Sequence, residues 1–138
     1  MDRGFWKAVL GYTVITMAFA ATWHLVWFKE LYHQLGIYNR PTPIVPLGVA
    51  ATLIQGVVLS TLYPRFYRGG HPITQGVVYG LAFGAFAYSF STLALGAKAT
   101  VTPLPTWLGL QMLFHVIHAV LGGAVIGLVY GRIGRSDM

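Results

Sequence analysis

The sequence predicts an all-α membrane protein, a compact bundle of four transmembrane helices with both termini in the cytoplasm. Three observations predict this fold class: the composition, the spacing of the charged residues and the distribution of the basic ones. Of the 138 residues, 56% are hydrophobic and 9% are charged, whereas a soluble domain usually carries about 25% charged residues. So few charges cannot cover a water-facing surface, and we expect a single transmembrane domain over residues 1–138.

Stretches without Asp, Glu, Lys or Arg divide the chain into four segments of membrane-spanning length. A helix needs roughly 20 apolar residues to cross a hydrocarbon core about 30 Å thick, so each stretch suits one crossing. The sequence lacks the alternation of apolar and polar residues that is typical of a membrane β-barrel. The charge-free stretches, residues 8–28, 41–64, 69–97 and 99–131, predict helices over about residues 5–32, 44–63, 74–97 and 106–132.

The first helix is expected to extend beyond the membrane. Phe5 marks one of its ends and Trp23 and Trp27 the other, as aromatic side chains do at membrane–water interfaces. The helix continues through the more polar residues 29–35 to Gly36. Since glycine is common just after the last residue of a helix, we expect the helix to end there.

Proline residues mark the starts of the second and fourth helices. Pro43 and Pro46 lie at the start of the second helix, and Pro103 and Pro105 at the start of the fourth. Proline is tolerated in the first turn because the missing N–H has no helical partner there.

A short basic turn over residues 64–72 connects the second and third helices. Its adjacent glycines, Gly69 and Gly70, allow a tight turn on the cytoplasmic side. We expect Arg65 and Arg68 to hold phospholipid headgroups; the alternative is that they dock a partner protein.

The basic residues are distributed unequally between the two sides of the predicted membrane. Four spans place six of them on one side and three on the other, and the positive-inside rule then puts both termini in the cytoplasm. The net charge of +6 therefore indicates topology and contact with membrane lipids, and no binding of nucleic acid is expected of such dispersed charges. The six are Arg3, Lys7, Arg65, Arg68, Arg132 and Arg135; the three are Lys29, Arg40 and Lys98.

Small residues recur at every fourth position in the third and fourth helices, and we call these two sets the glycine stripes. Close backbone approach through small residues provides much of the packing energy between helices in a membrane. We expect either that the two stripes pack against each other as a glycine zipper or that one faces a second copy or a larger partner. The stripes are Gly76, Gly80 and Gly84, and Ala119, Gly123, Gly127 and Gly131.

Polar side chains inside the predicted helices are the candidate site residues. Gln111, His115 and His118 share one face of the fourth helix. Because polar groups are costly to leave unpaired inside a membrane, a network of hydrogen bonds between helices is one interpretation. The other helices bring polar side chains to the outer half of the membrane or its midplane, among them His24, Gln55 and Tyr88.

The histidines also suggest a cofactor or a small ligand. His24 and His115 are candidates for the two axial ligands of haem b, and together with His118 they are candidate ligands of copper or zinc. A further interpretation is a pocket for a lipid-like molecule such as a quinol, with Gln55, Tyr88 and Gln111 as polar neighbours. Its mouth would be lined by aromatic side chains: Trp23, Trp27, Phe86, Phe90, Trp107 and Phe114.

Catalysis is not expected of this chain. It has no nucleophile elbow, no HExxH motif, no phosphate-binding loop and no pair of acids inside the membrane. It contains no cysteine, which excludes disulfides and thiolate-ligated metal.

Three local patterns resemble a family of small four-helix bacterial inner-membrane proteins of uncharacterised activity. The patterns are the basic start Arg3…Lys7, the Tyr-Pro-rich turn leading into Gly76-x3-Gly80-x3-Gly84, and the closing Gly127-Leu-Val-Tyr-Gly131. The resemblance implies the fold and a bacterial inner membrane, and it assigns no functional residue.

The function predicted from these features is that of an accessory or structural subunit, without catalysis of its own, in a homo-oligomer or a larger membrane complex. The alternative is a haem-, metal- or quinol-binding membrane protein that uses the intramembrane histidines. A small-molecule transporter ranks third, because proton-coupled transport usually needs an intramembrane acid.

Overall fold

Helices are the only regular secondary structure among the residues that the structure describes. The structure, a computed structural model, describes residues 3–136, and it describes side chains for residues 3–131. No strand occurs among these residues, which confirms the all-α prediction. The elements are α1 (Arg3–Thr22), a first π-helical segment (Trp23–Trp27), α2 (Lys29–Gln34), α3 (Val45–Phe66), α4 (Pro72–Tyr88), a second π-helical segment (Ser89–Leu93), α5 (Ala94–Gly96) and α6 (Leu104–Ser136).

Four helical stretches are long and apolar enough to cross a membrane, as predicted, and they indicate a multi-pass membrane protein. We call them the spans. The spans are Arg3–Trp27, Val45–Phe66, Pro72–Gly96 and Leu104–Gly131. Arg132 and Arg135 are two of the six basic residues that predict the orientation of the chain. Their side chains are not among those that the structure describes.

The first helix differs from the continuous helix predicted over residues 5–32, because it bends at Phe28. The Phe28 amide donates a hydrogen bond to the Trp23 carbonyl at 3.0 Å, and the Phe28 backbone (φ −118°, ψ 15°) is not helical. Beyond the bend, the Trp23 indole N–H donates to the Tyr32 hydroxyl at 2.9 Å. A straight helix would separate these two residues by about 13.5 Å and place them on opposite faces, so the bend is what brings them together.

Gly36 ends α2. Its φ of +76° lies in the left-handed region that favours glycine. The Gly36 amide donates to the His33 carbonyl at 3.1 Å and the Ile37 amide to the Tyr32 carbonyl at 3.2 Å. These are the two hydrogen bonds of a Schellman motif, which satisfies the last carbonyls of a helix.

α3 continues through Pro64, past its predicted end at residue 63. Proline has no N–H for the Ser60 carbonyl one turn earlier. The Tyr130 hydroxyl of α6 donates to that carbonyl instead, at 2.7 Å. A side chain from another helix thus satisfies the free backbone group, and α3 extends to Phe66.

The spans pack in the order α4–α6–α1–α3. α6 packs most extensively against α4 and also against α1, and α1 packs against α3. α3 and α4 are joined by the turn of residues 67–71, and we call this side of the molecule the turn end. There the Tyr63 and Tyr79 rings lie 5.2 Å apart. The opposite side, which we call the loop end, contains α2 and the loop of residues 97–103.

The structure brings the two glycine stripes against each other between α4 and α6. A Cβ atom added to Gly76 would overlap the Gly123 carbonyl oxygen, and one added to Gly80 would overlap the Ala119 carbonyl oxygen. The backbones of the two helices therefore touch, and a side chain larger than hydrogen does not fit. The other members make similar contacts: Gly84 with Ala119, and Gly127 and Gly131 with Pro72.

Candidate functional site

The four spans surround a cavity of about 570 Å³, which we call the central cavity. Residues of α1, α3, α4 and α6 line it, and none of the lining residues is Asp, Glu, Lys or Arg. α3 and α4 both line the cavity but have few contacts with each other. The open side of the cavity therefore lies between these two helices.

Tyrosines close the central cavity toward the turn end. Tyr12 and Tyr79 are among its lining residues, and both are buried. Behind them, Tyr63 packs against Tyr79 and, at 5.4 Å between ring centroids, against Tyr130. The Tyr79 hydroxyl donates to the Leu59 carbonyl at 2.8 Å, which fixes this layer to α3.

His118 and Gln55 bring polar groups to the cavity at the middle of their spans. His118 is the fifteenth of 28 residues in its span, and Gln55 is the eleventh of 22. The Tyr12 hydroxyl donates to the Gln55 amide oxygen at 3.1 Å, and the rings of Tyr12 and His118 lie 6.0 Å apart. Within the described part of the chain, the His118 ring nitrogens and the Gln55 amide nitrogen have no hydrogen-bond partner. Both side chains are therefore available to a ligand.

His115 also lines the cavity, but one of its ring nitrogens is engaged. Its Nε2 lies 3.0 Å from the hydroxyl oxygen of Ser91, within hydrogen-bond distance. Ser91 belongs to the second π-helical segment. Segments of this kind are rare and frequently occur at functional sites, and this one places a hydroxyl opposite the imidazole.

His24 lies near the loop end of the cavity, in the first π-helical segment. Its Nδ1 is 2.9 Å from the Ala20 carbonyl oxygen. Its ring stacks on Tyr32, with 4.9 Å between centroids, and meets the Phe114 ring at 4.6 Å. Phe114 also contacts His118 at 5.4 Å, so one aromatic side chain separates the two histidines.

Gln111 lies outside the central cavity, although the sequence groups it with His115 and His118. It is 2% exposed and connects two tyrosines of the loop end. Its amide oxygen accepts from the Tyr32 hydroxyl at 3.5 Å, and its amide nitrogen donates to the Tyr38 hydroxyl at 2.9 Å. Burial raises the pKa of the Tyr32 phenol, so this hydroxyl stays protonated and can donate.

Tyr38 takes an unusual backbone conformation to reach Gln111. Its φ of +55° lies in the left-handed region, which is rare for a bulky residue and indicates local strain. The hydrogen bond to Gln111 and a ring contact with Trp107 at 5.9 Å hold it there.

Tyr88 and part of the predicted aromatic mouth also lie away from the cavity. The Tyr88 hydroxyl donates to the Leu108 carbonyl at 3.2 Å. Trp23 and Trp107 are buried in the loop-end core, and Trp27 is exposed outside the cavity. The other three aromatic residues, Phe86, Phe90 and Phe114, do line it.

The histidines do not form a metal-binding cluster in this structure. No group of three His, Cys, Asp or Glu side chains suited to a metal ion occurs among the residues that the structure describes. The two candidate haem ligands each have one ring nitrogen in contact with a protein oxygen, His115 with Ser91 and His24 with Ala20. Axial ligation by both would need the remaining nitrogens to face a common iron.

Arg65 and Arg68 lie at the turn end, remote from the central cavity. Both are exposed, and Arg65 Nη1 donates to the Thr61 carbonyl of its own helix at 3.1 Å.

Tyr12 is the main site residue that sequence reasoning missed. It contacts both Gln55 and His118, and the clash of a Cβ atom at Gly122 with its ring shows how closely α6 approaches it. The sequence contained one signal for Tyr12: it is a tyrosine within an apolar helix, and a buried phenol needs a hydrogen-bond partner.

Comparison of the chain with protein-family models, with curated proteins and with solved structures gives no match. The resemblance to small four-helix inner-membrane proteins therefore remains a prediction.

Proposed function

We propose that this chain binds an uncharged, lipid-soluble molecule in the central cavity, and that the molecule enters from the membrane between α3 and α4. The observation that supports this most directly is that the His118 ring nitrogens and the Gln55 amide nitrogen, which have no hydrogen-bond partner in the described part of the chain, face an apolar cavity of about 570 Å³. Ligand sites are typically cavities of this size, mostly apolar with a few convergent polar groups.

The composition of the cavity lining favours an uncharged ligand. Burying an ion away from water is very unfavourable unless an opposite charge compensates it. The lining contains no charged residue, so a carboxylate or phosphate group would have no ion partner. An alcohol, a carbonyl compound or a similar neutral molecule can instead bond to imidazole and amide groups.

Blocking the cavity tests this proposal. Ala51 of α3 lines the cavity, whereas its neighbour Ala50 is exposed outside it. We expect Ala51→Trp to lower binding of tritiated hexadecanol at least about tenfold, measured by scintillation proximity on protein in lipid nanodiscs. Ala50→Trp adds the same ring to the same helix and should bind like the unmodified chain. Equal binding by all three proteins, or none by the unmodified chain, would overturn the proposal.

The chain is further proposed to lie in a bacterial inner membrane with both termini in the cytoplasm. The support is the six-to-three distribution of basic residues under the positive-inside rule. In this orientation Arg65 and Arg68, exposed at the turn end, meet the anionic lipid headgroups of the cytoplasmic leaflet.

Assembly with a second copy, or as an accessory subunit of a larger complex, is the second candidate function. Its support is the outer surface of α3, which packs mainly against α1 and exposes large side chains such as Leu47 and Leu53 (65% and 40% exposed). Native mass spectrometry from mild detergent should then detect a dimer or a complex with other membrane proteins. A strictly monomeric species with no co-purifying protein would contradict it.

A further inference from the structure

We infer that the ligand of the central cavity is a quinone or quinol, whose ring lies at the membrane midplane with His118 and Gln55 as its hydrogen-bonding partners. This inference rests on the proposed function and names the chemical class of the ligand. It follows from three features: the depth of the polar groups, their hydrogen-bonding chemistry and the apolar route between α3 and α4.

The depth of the polar groups selects among lipid-soluble molecules. His118 and Gln55 both lie at the middle of their spans, far from either headgroup region. A phospholipid or a fatty acid has its polar group at the interface, and would have to bring a charge to the midplane to reach these side chains. The ring of an isoprenoid quinone is uncharged and can enter the hydrocarbon core without that cost.

The hydrogen-bonding chemistry of the two side chains suits both oxidation states of such a ring. A neutral imidazole has one donor and one acceptor, and an amide has two donors on nitrogen and an acceptor oxygen. They can donate to the carbonyl oxygens of a quinone, while the imidazole acceptor can receive a quinol hydroxyl. Both side chains contact Tyr12, so the distance between them is about the length of one aromatic side chain. A quinone ring has a similar size and can reach both.

Aromatic and aliphatic side chains complete the site around a planar ring and its tail. Phe114 lines the cavity beside His118, at 5.4 Å between rings, and provides a surface on which a ligand ring can stack. Ile54 and Phe86 line the cavity on its two edge helices and are 63% and 67% exposed. An isoprenoid tail can leave along this edge into the lipid.

Binding of decylubiquinone by protein in nanodiscs tests the inference. We expect His118→Leu and Gln55→Leu each to weaken binding about tenfold, the equivalent of one lost hydrogen bond. Matched controls are His33→Leu and Gln75→Leu, since neither residue lines the cavity; both should bind like the unmodified chain. Gln55 is exposed within the cavity, so its replacement tests the inference even if the His118 variant fails to fold.

Two comparisons separate failure of this inference from failure of the proposed function. Decylbenzene has a similar ring and tail without the oxygens and should compete at least about tenfold more weakly than decylubiquinone. If it competes equally while hexadecanol binding still depends on residue 51, the quinone assignment is wrong and the proposed function stands. If neither decylubiquinone nor hexadecanol binds, both are wrong.

Discussion

Gln111 connects three parts of the loop end through a single amide. It accepts from Tyr32 of α2 and donates to Tyr38 of the following loop, while its backbone belongs to α6. A buried amide that satisfies two phenols in this way stabilises the packing of elements that are distant in sequence. The strained backbone of Tyr38 indicates that this arrangement is held by its contacts and not by local preference.

Replacing Gln111 should therefore destabilise the loop end. Gln111→Met keeps the size of the side chain but removes both hydrogen bonds and leaves the buried Tyr32 hydroxyl without an acceptor. We expect the free energy of unfolding to fall by about 1–2 kcal/mol, as measured by titration with sodium dodecyl sulfate. Gln34→Met, at an exposed position of α2, is the control and should have little effect. Equal stability of the two variants would contradict the role assigned to Gln111.

At the residue scale, the sequence predicted the polar side chains of the cavity better than those of the loop end. His24, Gln55, His115 and His118, which the sequence offers as candidate site residues, all line the central cavity; the shared helical face groups only His115 and His118 with Gln111. Gln111 shares that face but lies one turn nearer the loop end, where α2 covers it. The bend at Phe28 that places α2 there has no signal in the hydrophobic pattern, so the partners of Gln111 were not predictable.

At the scale of single elements, α4 and α6 depend on close backbone approach. A Cβ atom at Gly123 would overlap the Gly76 carbonyl oxygen and come within 3.1 Å of the Gly80 Cα atom. These obstacles are backbone atoms, which cannot move aside as the end of a flexible side chain can. The fit between the two helices therefore allows no added methyl group at this position.

Gly123→Ala should separate α4 from α6 and lower the free energy of unfolding by about 1–3 kcal/mol. Gly109→Ala is the matched control in the same helix, because nothing lies within 4 Å of a Cβ atom there. It should be neutral or stabilising by up to about 1 kcal/mol, the usual gain of alanine over glycine in a helix. Thermal unfolding of both variants in the same detergent measures the difference; a Gly123 variant as stable as the Gly109 variant would count against this contact.

Helix positions were predictable to within a few residues, but helix irregularities were not. The charge-free stretches set the length of each apolar segment, and therefore the approximate starts and ends of the spans. The π-helical segments at Trp23–Trp27 and Ser89–Leu93 have the same apolar composition as the α-helices around them. The extension of α3 through Pro64 depends on Tyr130, a residue of another helix that no local pattern identifies.

At the scale of the whole molecule, the order α4–α6–α1–α3 leaves α3 attached mainly through α1. The number of helices follows from the sequence, because each apolar stretch must cross the membrane once. Which helices touch follows only in part: the glycine stripes offer the contact of α4 with α6 as one of two alternatives, whereas apolar side chains elsewhere suit lipid and protein neighbours equally well. The central cavity is a product of this arrangement and could not be predicted from the polar residues alone.

The proposed orientation can be tested with single cysteines, because the natural chain has none. His71 in the α3–α4 turn and Thr100 in the loop of residues 97–103 are exposed at opposite ends of the spans. In intact cells, a membrane-impermeant maleimide should label Thr100→Cys, and it should label His71→Cys only after permeabilisation. Both substitutions preserve every lysine and arginine that the orientation depends on. Labelling of His71→Cys alone in intact cells would show that the orientation is the opposite of the one proposed.

The open side of the central cavity couples its occupancy to the composition of the bilayer. Because this side lies between two membrane-length helices, α3 and α4, the proposed ligand would arrive from lipid. Occupancy then depends on the number of ligand molecules per lipid molecule and not on their concentration in water. A ligand of modest intrinsic affinity can fill the cavity if it is abundant in the membrane, and adding ligand-free lipid at constant protein concentration should empty it.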